Sequence, residues 1–364
     1  MKKYIPWYMK ITIKLALGNI PGMQKLASGV LPVFQQGPGK DPDYNINVYL
    51  QHFHRFARFN RIEAGIRCAD YDVLELGPGR SLGCGVVANI LGAKKVWLVD
   101  VEKWTKLNND FAVEIMDRLR TIIESTGQLF RPPNDLGSGG SPDPPGNGMK
   151  SILNNPSQKK GLNCIHYGDY EGAEKTLSYL VGKKIFTKEE ITSRMDEIQN
   201  KKDIQDYLLE NCLIYSDRGM KTLEEIPGQS VSFTYSQAVL EHVKREDIKP
   251  ILDHLHRITI PGGITSHVID FRDHIGNSLH SLRFSEKTWE SDLFRNSGFY
   301  TNRMRKTEII KLFEESGWEI VYKKDRLWDK IPLDRKKLAP EFSNLGEEDL
   351  LCSGLVVVGR KRVS

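Results

Sequence analysis

Apolar and polar positions change period several times along this chain, and each change marks an element. Segment 4–30 is apolar and basic; Met9 to Leu15 alternates as a strand would, yet Lys10 and Lys14 share a helical face. A helix ending near Gly18 is the favoured reading. It packs on the rest of the chain or, as the weaker alternative, lies at a membrane surface. Segment 45–65 brings Val48, Phe53 and Phe56 near one helical face and predicts a helix. Apolar runs at 73–76, 96–100, 212–215, 231–236, 264–269, 318–323 and 353–359 read as strands. Between them, 81–92, about 105–125, 246–257 and 307–316 read as helices. Ile248, Ile251, Leu252 and Leu255 form a core stripe, Ser81 and Thr307 stand at N-cap positions, and Gly317 ends the last helix. Gly83 and Gly85 weaken the first of these helices, which points to close helix–strand or ligand contact. Strand and helix alternate throughout, so the expected class is α/β: seven strands with helices on both faces and a late hairpin-like pair.

One interval breaks the alternation. Residues 126–210 open on a Pro-, Gly-, Ser- and Asn-rich stretch (131–148) and continue into a helical pattern at 187–209. An insertion of this size between the second and third strands suggests a lid or substrate element.

The first strand carries the chemistry. Val73-Leu74-Glu75-Leu76 runs into the turn Gly77-Pro78-Gly79, and the next strand ends at Asp100. A glycine turn admits a ligand close to the backbone, and an acid at the next strand end can accept from ribose hydroxyls. The expected site is therefore a nucleoside crevice. The dinucleotide fingerprint needs a third glycine where Leu82 stands, and it has no place for Glu75. An NAD(P)-dependent dehydrogenase is thus the disfavoured rival, and a non-catalytic binding module the second.

An E-L-G-P-G turn followed by a strand-end Asp100 resembles the first two motifs of class I S-adenosylmethionine (SAM)-dependent methyltransferases. Val239-Leu240-Glu241-His242-Val243 and Pro261-Gly262-Gly263 resemble later segments of the same superfamily, in the same order. The stretches 270–274, 282–292 and 298–303, with the N-terminal P-W-x-x-K-I-x-x-K, look like a bacterial family of uncharacterised methyltransferase-domain proteins. This resemblance implies a Rossmann-like sheet whose last strand runs antiparallel, with SAM as cofactor. It implies that Glu75 faces the methionine ammonium, Gly77, Pro78 and Gly79 form the turn, and Asp100 holds the ribose. Val101, Asp217, Ser236 and Gln237 complete the implied cofactor set. Similar proteins are found among surface-glycan and secondary-metabolite functions, which suggests an oxygen of a small molecule or glycan as acceptor.

An activated methyl group needs alignment, and a hydroxyl acceptor also needs a base. Candidates belong at the carboxyl ends of strands four and five: His242 after the fourth, and Asp270, Asp273 and His274 after the fifth. Asp270 or Asp273 could orient the His274 imidazole. Each histidine has a structural alternative, and the same two acids with His274 have a divalent-metal alternative. His52 and His54 read as surface or packing residues. Aromatic and arginine residues at 280–303 suit a sugar or anionic acceptor, or else pack among themselves.

Composition narrows this little further. The chain has 364 residues, 39% hydrophobic and 27% charged, enough for a sizeable core. Five scattered cysteines without a C-x-x-C pair fit a reducing compartment, hence a cytoplasmic location, peripheral to the membrane at most. The net charge is +5, but six lysines and no acid fall in residues 1–40. No broad basic face suggests nucleic acid. Lys10 and Lys14 interrupt any signal-peptide core, and the segment is too charged to span a bilayer. The expected division is an N-terminal extension at 1–66 and a SAM-dependent domain at 67–364.

Overall fold

The computed structural model describes residues 8–9, 11–12, 15, 41–60, 71–79, 81–101, 108–129 and 172–363. Helix α1 (Pro42–Phe59) opens the ordered core. Asp41 caps it by accepting from the Asp43 amide at 2.9 Å, and Pro42 starts the first turn. Strand β1 (Tyr71–Leu76) follows, then α2 (Gly83–Ile90), β2 (Ala93–Val99) and α3 (Asn109–Leu129). Helices α4 (Ala173–Gly182), α5 (Lys188–Gln199) and α6 (Ile204–Asn211) precede β3 (Leu213–Ser216). The chain continues through α7 (Met220–Glu225), β4 (Val231–Gln237), α8 (Arg245–Ile258) and β5 (Thr259–Asp270). Short helices α9 (Glu286–Trp289) and α10 (Asp292–Arg295) lead to α11 (Lys306–Glu315), β6 (Trp318–Leu327), α12 (Glu347–Leu351) and β7 (Cys352–Lys361).

The seven strands form one sheet in the order β3-β2-β1-β4-β5-β7-β6. Neighbours from β3 to β5 are parallel, and β7 runs antiparallel to both β5 and β6. This is the expected doubly wound α/β sheet. Strand order reverses at β1, so a crevice opens beyond the carboxyl ends of β1 and β4.

Alternation along β1 sends Val73 into the core beneath α1 to α6, and Leu74 and Leu76 into the core beneath α7, α8 and α11. Phe56 of α1 stacks on Phe233 of β4 with ring centroids 4.8 Å apart. Gly85 of α2 lies where a Cβ would meet Leu213 at 3.0 Å and Leu98 at 3.1 Å, and Gly83 would meet Asn45 of α1 at 2.5 Å. Close packing, against strands and against α1, therefore accounts for both helical glycines.

Several local expectations change. Helix α2 starts at Gly83 with Leu82 at the cap and no side-chain cap bond; Ser81 Oγ instead donates to Asn45 Oδ1 at 2.9 Å. Helix α11 starts at Lys306, and the Thr307 amide is capped from afar by Asp349 Oδ1 at 2.9 Å. Pro261-Gly262-Gly263 is an irregularity inside β5, where a Cβ on Gly263 would sit 2.8 Å from the Ser232 carbonyl.

The helical pattern at 187–209 is two helices, the first closed by a Thr187–Glu190 capping box. Arg194 of α5 donates to the Ile90 carbonyl at 3.3 Å, at the end of α2 remote from the glycine turn. Leu177, Ile191, Met195 and Leu208 join the core, so the described helices of the insertion are packed onto the sheet's own core. The Pro/Gly-rich stretch 131–148 lies outside the described residues. Near the N-terminus, residues 8–9, 11–12 and 15 are helical, and Ile11 belongs to a buried cluster with Ile275, Trp289 and Phe299. The expected end of this helix at Gly18 lies outside the described residues. Among the described residues no helix is long and apolar enough to cross a membrane.

Candidate active site

The turn after β1 is built by its two glycines. Gly77 and Gly79 have φ of 72° and 66°, a region that L side chains avoid. The Gly77 amide donates to the Val99 carbonyl at 2.8 Å, and a Cβ at Gly77 would meet Val239 at 2.5 Å. Gly79 differs: nothing lies within 4 Å of its missing Cβ, so this side of the turn is open. Pro78 stands between them.

Asp100 sits against the same turn. Its carboxylate accepts from the Gly79 amide at 3.1 Å and from the Val101 amide at 2.7 Å. A carboxylate has about four lone-pair sites, and these two amides engage one oxygen each. Val101, beside it, is 77% exposed, a large apolar side chain left in solvent at the crevice edge. Asp217, exposed, follows β3 on the same side.

Glu75 is 4% exposed and pairs in register with Tyr235 of β4. Its Oε2 and the Tyr235 hydroxyl are buried without a hydrogen-bond partner. Burial pushes the Glu75 pKa up to about 8, against the lowering influence of Tyr235 and Cys84 beside it, while the Asp100 charge adds to the rise. An unpaired buried carboxyl is costly. A cationic ligand group would supply the missing partner.

Residues beyond β4 divide by face. Ser236 is fully buried, with Oγ bonded to His267 Nδ1 at 2.7 Å, so its side chain belongs to the sheet interior rather than the crevice. His267 Nε2 meets Thr265 Oγ1 at 2.6 Å, and burial lowers its pKa to about 3, so it is a neutral structural group. Gln237 Oε1 accepts from Gln51 Nε2 and His52 Nε2, each at 3.1 Å, tying α1 to the end of β4. His52 is a buried member of this network, with Nδ1 at 2.8 Å from Ser266 Oγ; burial first, then the Arg55 charge, lowers its pKa well below the usual value. His54 contacts the Tyr179 ring edge-on. Ala238, at φ 54°, turns the chain out of β4 beside the crevice.

His242 and His274 come together. Their ring centroids are 4.7 Å apart, although they follow different strands. His242 Nδ1 lies 3.1 Å from the Tyr300 carbonyl.

The two acids go elsewhere. Asp270 is gripped by Arg272, with Nη2 to Oδ2 at 2.6 Å, and by Arg326 at 3.2 Å. Burial disfavours its charge, but the Arg272 fork and then Arg326 outweigh this and hold its pKa below the usual value. Asp273, 1% exposed, accepts from the backbone amides of Ile275, Gly276 and His280. Among the described residues neither carboxylate bonds the His274 imidazole, and no group of His, Cys, Asp and Glu there could hold a metal ion. The expectation of an Asp–His pair is corrected on that ground: arginines and a tight loop claim the carboxylates.

The aromatics of 280–303 mostly pack among themselves. Trp289, Phe294 and Phe299 form a buried cluster, and Trp289 Nε1 donates to the Thr301 carbonyl at 2.7 Å. Arg303 is buried over the Trp289 and Phe342 rings. Sequence reasoning gave Tyr235 and Glu241 no role of their own and read Asn302 only as part of the 280–303 stretch. Glu241 is 3% exposed; burial and then the Asp270 charge raise its pKa well above the usual value, and its Oε2 is unpartnered. Its position in the V-L-E-H-V segment was the available signal.

No family model matches the chain, and no curated protein matches it. Among solved structures, the chain is similar to a SAM-dependent methyltransferase from Mesorhizobium loti (12% identity, 86% of this chain and 100% of that one, TM-score 0.33). It is similar to phosphoethanolamine N-methyltransferase 2 of Haemonchus contortus bound to phosphomonomethylethanolamine and S-adenosylhomocysteine (11%, 93% and 60%, 0.39). A third is the YcgJ protein of Bacillus subtilis (11%, 86% and 100%, 0.35).

Proposed function

We propose that this chain is a SAM-dependent methyltransferase whose acceptor atom is an oxygen of a small molecule or glycan. The observation that carries the reading is the buried Glu75 carboxyl, its Oε2 without a hydrogen-bond partner, beside a glycine turn that Asp100 closes, at the point where strand order reverses. A pyrophosphate would leave Glu75 without a cation to pair with, whereas the ammonium of a methionine moiety would favour its carboxylate and pair with it. The residues present fit SAM. Glu75 would take the ammonium, Gly79 would admit the ligand to the backbone, and Asp100 would accept from the ribose hydroxyls. Val101 and Asp217 would border the base, and Gln237 would line the far wall from α1. Ser236 would contribute through its backbone, since its hydroxyl is engaged by His267.

When bound, the cofactor supplies a methyl group on a sulfonium, already activated for in-line transfer. This chain's part is then alignment and removal of one proton. His242 and His274 sit at the carboxyl ends of β4 and β5, where an acceptor hydroxyl would lie. The Tyr300 carbonyl can only accept, so a neutral His242 bonded to it would carry its proton on Nδ1 and have Nε2 as its basic nitrogen.

The test is calorimetric titration with SAM and with NAD(P), followed by transfer of labelled methyl groups to fractionated cell extract. SAM binding with transfer of the label to an oxygen, as a base-stable ether or a base-labile ester, supports the reading. Binding of NAD(P) in place of SAM overturns it, and SAM binding without any transfer reduces the protein to a binding module.

A further inference from the structure

Two segments meet at the turn that carries His242, and one residue joins them. Asn302 Nδ2 donates to the Leu240 carbonyl at 2.7 Å and to the Val243 carbonyl at 2.9 Å, and the Asn302 amide donates to the Glu241 carbonyl at 2.8 Å. Three carbonyls of the turn that carries His242 are thereby satisfied by one residue. Asn302 is 3% exposed, and its Oδ1 accepts from the Met304 amide at 3.1 Å, which fixes the amide's orientation. The strap on which it sits is anchored from behind by Trp289 through the Thr301 carbonyl, and Arg303 holds a left-handed φ of 60°. The same strap presents the Tyr300 carbonyl to His242 Nδ1. From the other side, the Glu241 carboxyl accepts from the Asp270 amide at 3.2 Å, so the turn is also tied to the end of β5, the segment that carries His274.

We propose that Asn302 is a positioning residue: it locks the 240–243 turn against the Tyr300 carbonyl, so that His242 is held as its Nδ1–H tautomer with Nε2 as the proton acceptor. This rests on the methyltransferase reading only for the use made of that lone pair. The lock itself is a property of the chain. A turn with three carbonyls bonded to one amide-bearing residue cannot move without breaking several buried hydrogen bonds together. The imidazole it carries therefore has one orientation. Loss of the lock displaces a reacting group by about an ångström, and such misplacement lowers turnover on the order of a hundredfold.

The experiment is ring-nitrogen NMR of His242 in the full chain at about pH 9, where an ordinary imidazole is neutral, assigned by comparison with His242→Gln. The wild type is expected to show the Nδ1–H tautomer. In Asn302→Ala, and in Asn302→Asp, which keeps the acceptor to Met304 but lacks the amide donors, a mixture of tautomers is expected. Turnover should fall on the order of a hundredfold with the KM for SAM unchanged. A wild-type His242 in the Nε2–H form overturns the proposal without recourse to any variant. So does a folded Asn302→Ala whose His242 signals match the wild type. If the tautomer behaves as expected while SAM neither binds nor reacts, the functional reading fails and the positioning role stands.

Discussion

Asp100 and Glu75 are the residues on which binding turns, and they act differently. Asp100 is partly accessible and already bonded to the Gly79 amide of the glycine turn and to the Val101 amide beside it. Asp100→Ala removes the ribose acceptor and also frees those amides. Loss of charge-assisted bonds costs about 1.5–3 kcal/mol, so SAM affinity by calorimetry should fall roughly tenfold to a hundredfold. Unchanged affinity would move the site elsewhere. The histidines are separated by a second pair of substitutions. If His242 takes the acceptor proton, His242→Ala lowers turnover by about 10²–10⁴ and leaves SAM affinity intact. If His274→Ala alone does this, the base belongs to β5. Full activity in both would mean that alignment alone drives transfer, to an amine or an already ionised oxygen.

At the scale of the element, the strand–turn–helix after β1 contains two glycines with the same backbone twist and different surroundings. Gly77→Ala forces a left-handed φ on an L residue, a cost of roughly 1–2 kcal/mol, and also drives its Cβ into Val239 at 2.5 Å. Gly79→Ala carries the same φ cost but meets nothing within 4 Å. Thermal melting should therefore show Gly77→Ala as the more damaging of the two. Calorimetry should show that Gly79→Ala, although folded, loses SAM affinity, because its methyl group occupies the open face of the turn. Equal melting temperatures for the two variants would contradict this packing account. The strap at 298–304 follows the same logic. Its aromatics are buried away from the crevice, so its contribution to the site comes through backbone carbonyls and Asn302.

For the whole molecule, buried titratable groups set the pH dependence of stability. The Glu75 pKa is raised from 4.5 to about 8, so the folded chain keeps a proton that the unfolded chain releases. Its contribution is fully present below 4.5 and is lost as pH rises through about 8. His267 works in the other direction: its pKa is lowered from 6.5 to about 3, so its contribution is present above 6.5 and is lost as pH falls toward 3. Between the ordinary histidine value and about 8, Glu75 therefore acts without His267. The ligand-free wild type should lose stability across that window relative to Glu75→Gln. Parallel denaturation curves for the two proteins there would show that Glu75 ionises freely in the fold. Saturating SAM should reduce the wild-type slope, since an ammonium beside Glu75 favours the carboxylate.

Period and turn chemistry depend on neighbours within a few residues, and the sequence alone determined the features that rest on them. The apolar runs mark all seven strands, most strongly β1, β4, β5 and β7, which are largely buried on both faces and so must be apolar. The succession Glu75, Gly77, Gly79 and Asp100 marks the crevice, because a left-handed turn needs glycine and a strand-end acid needs no distant partner to be recognised. Partner choice is different. Ser81 and Thr307 stand where local rules put caps, yet Asn45 engages Ser81 and Asp349 caps the Thr307 amide, both from distant elements. Asp270 and Asp273 stand beside His274 in the chain, yet Arg272 with Arg326 and a tight loop take their oxygens. The meeting of His242 with His274, and the grip of Asn302 on the turn between them, exist only because β4 and β5 are adjacent and the 298–304 strap folds back across them. A side chain's bonds go to whichever partners packing delivers, and packing is decided by the whole sheet.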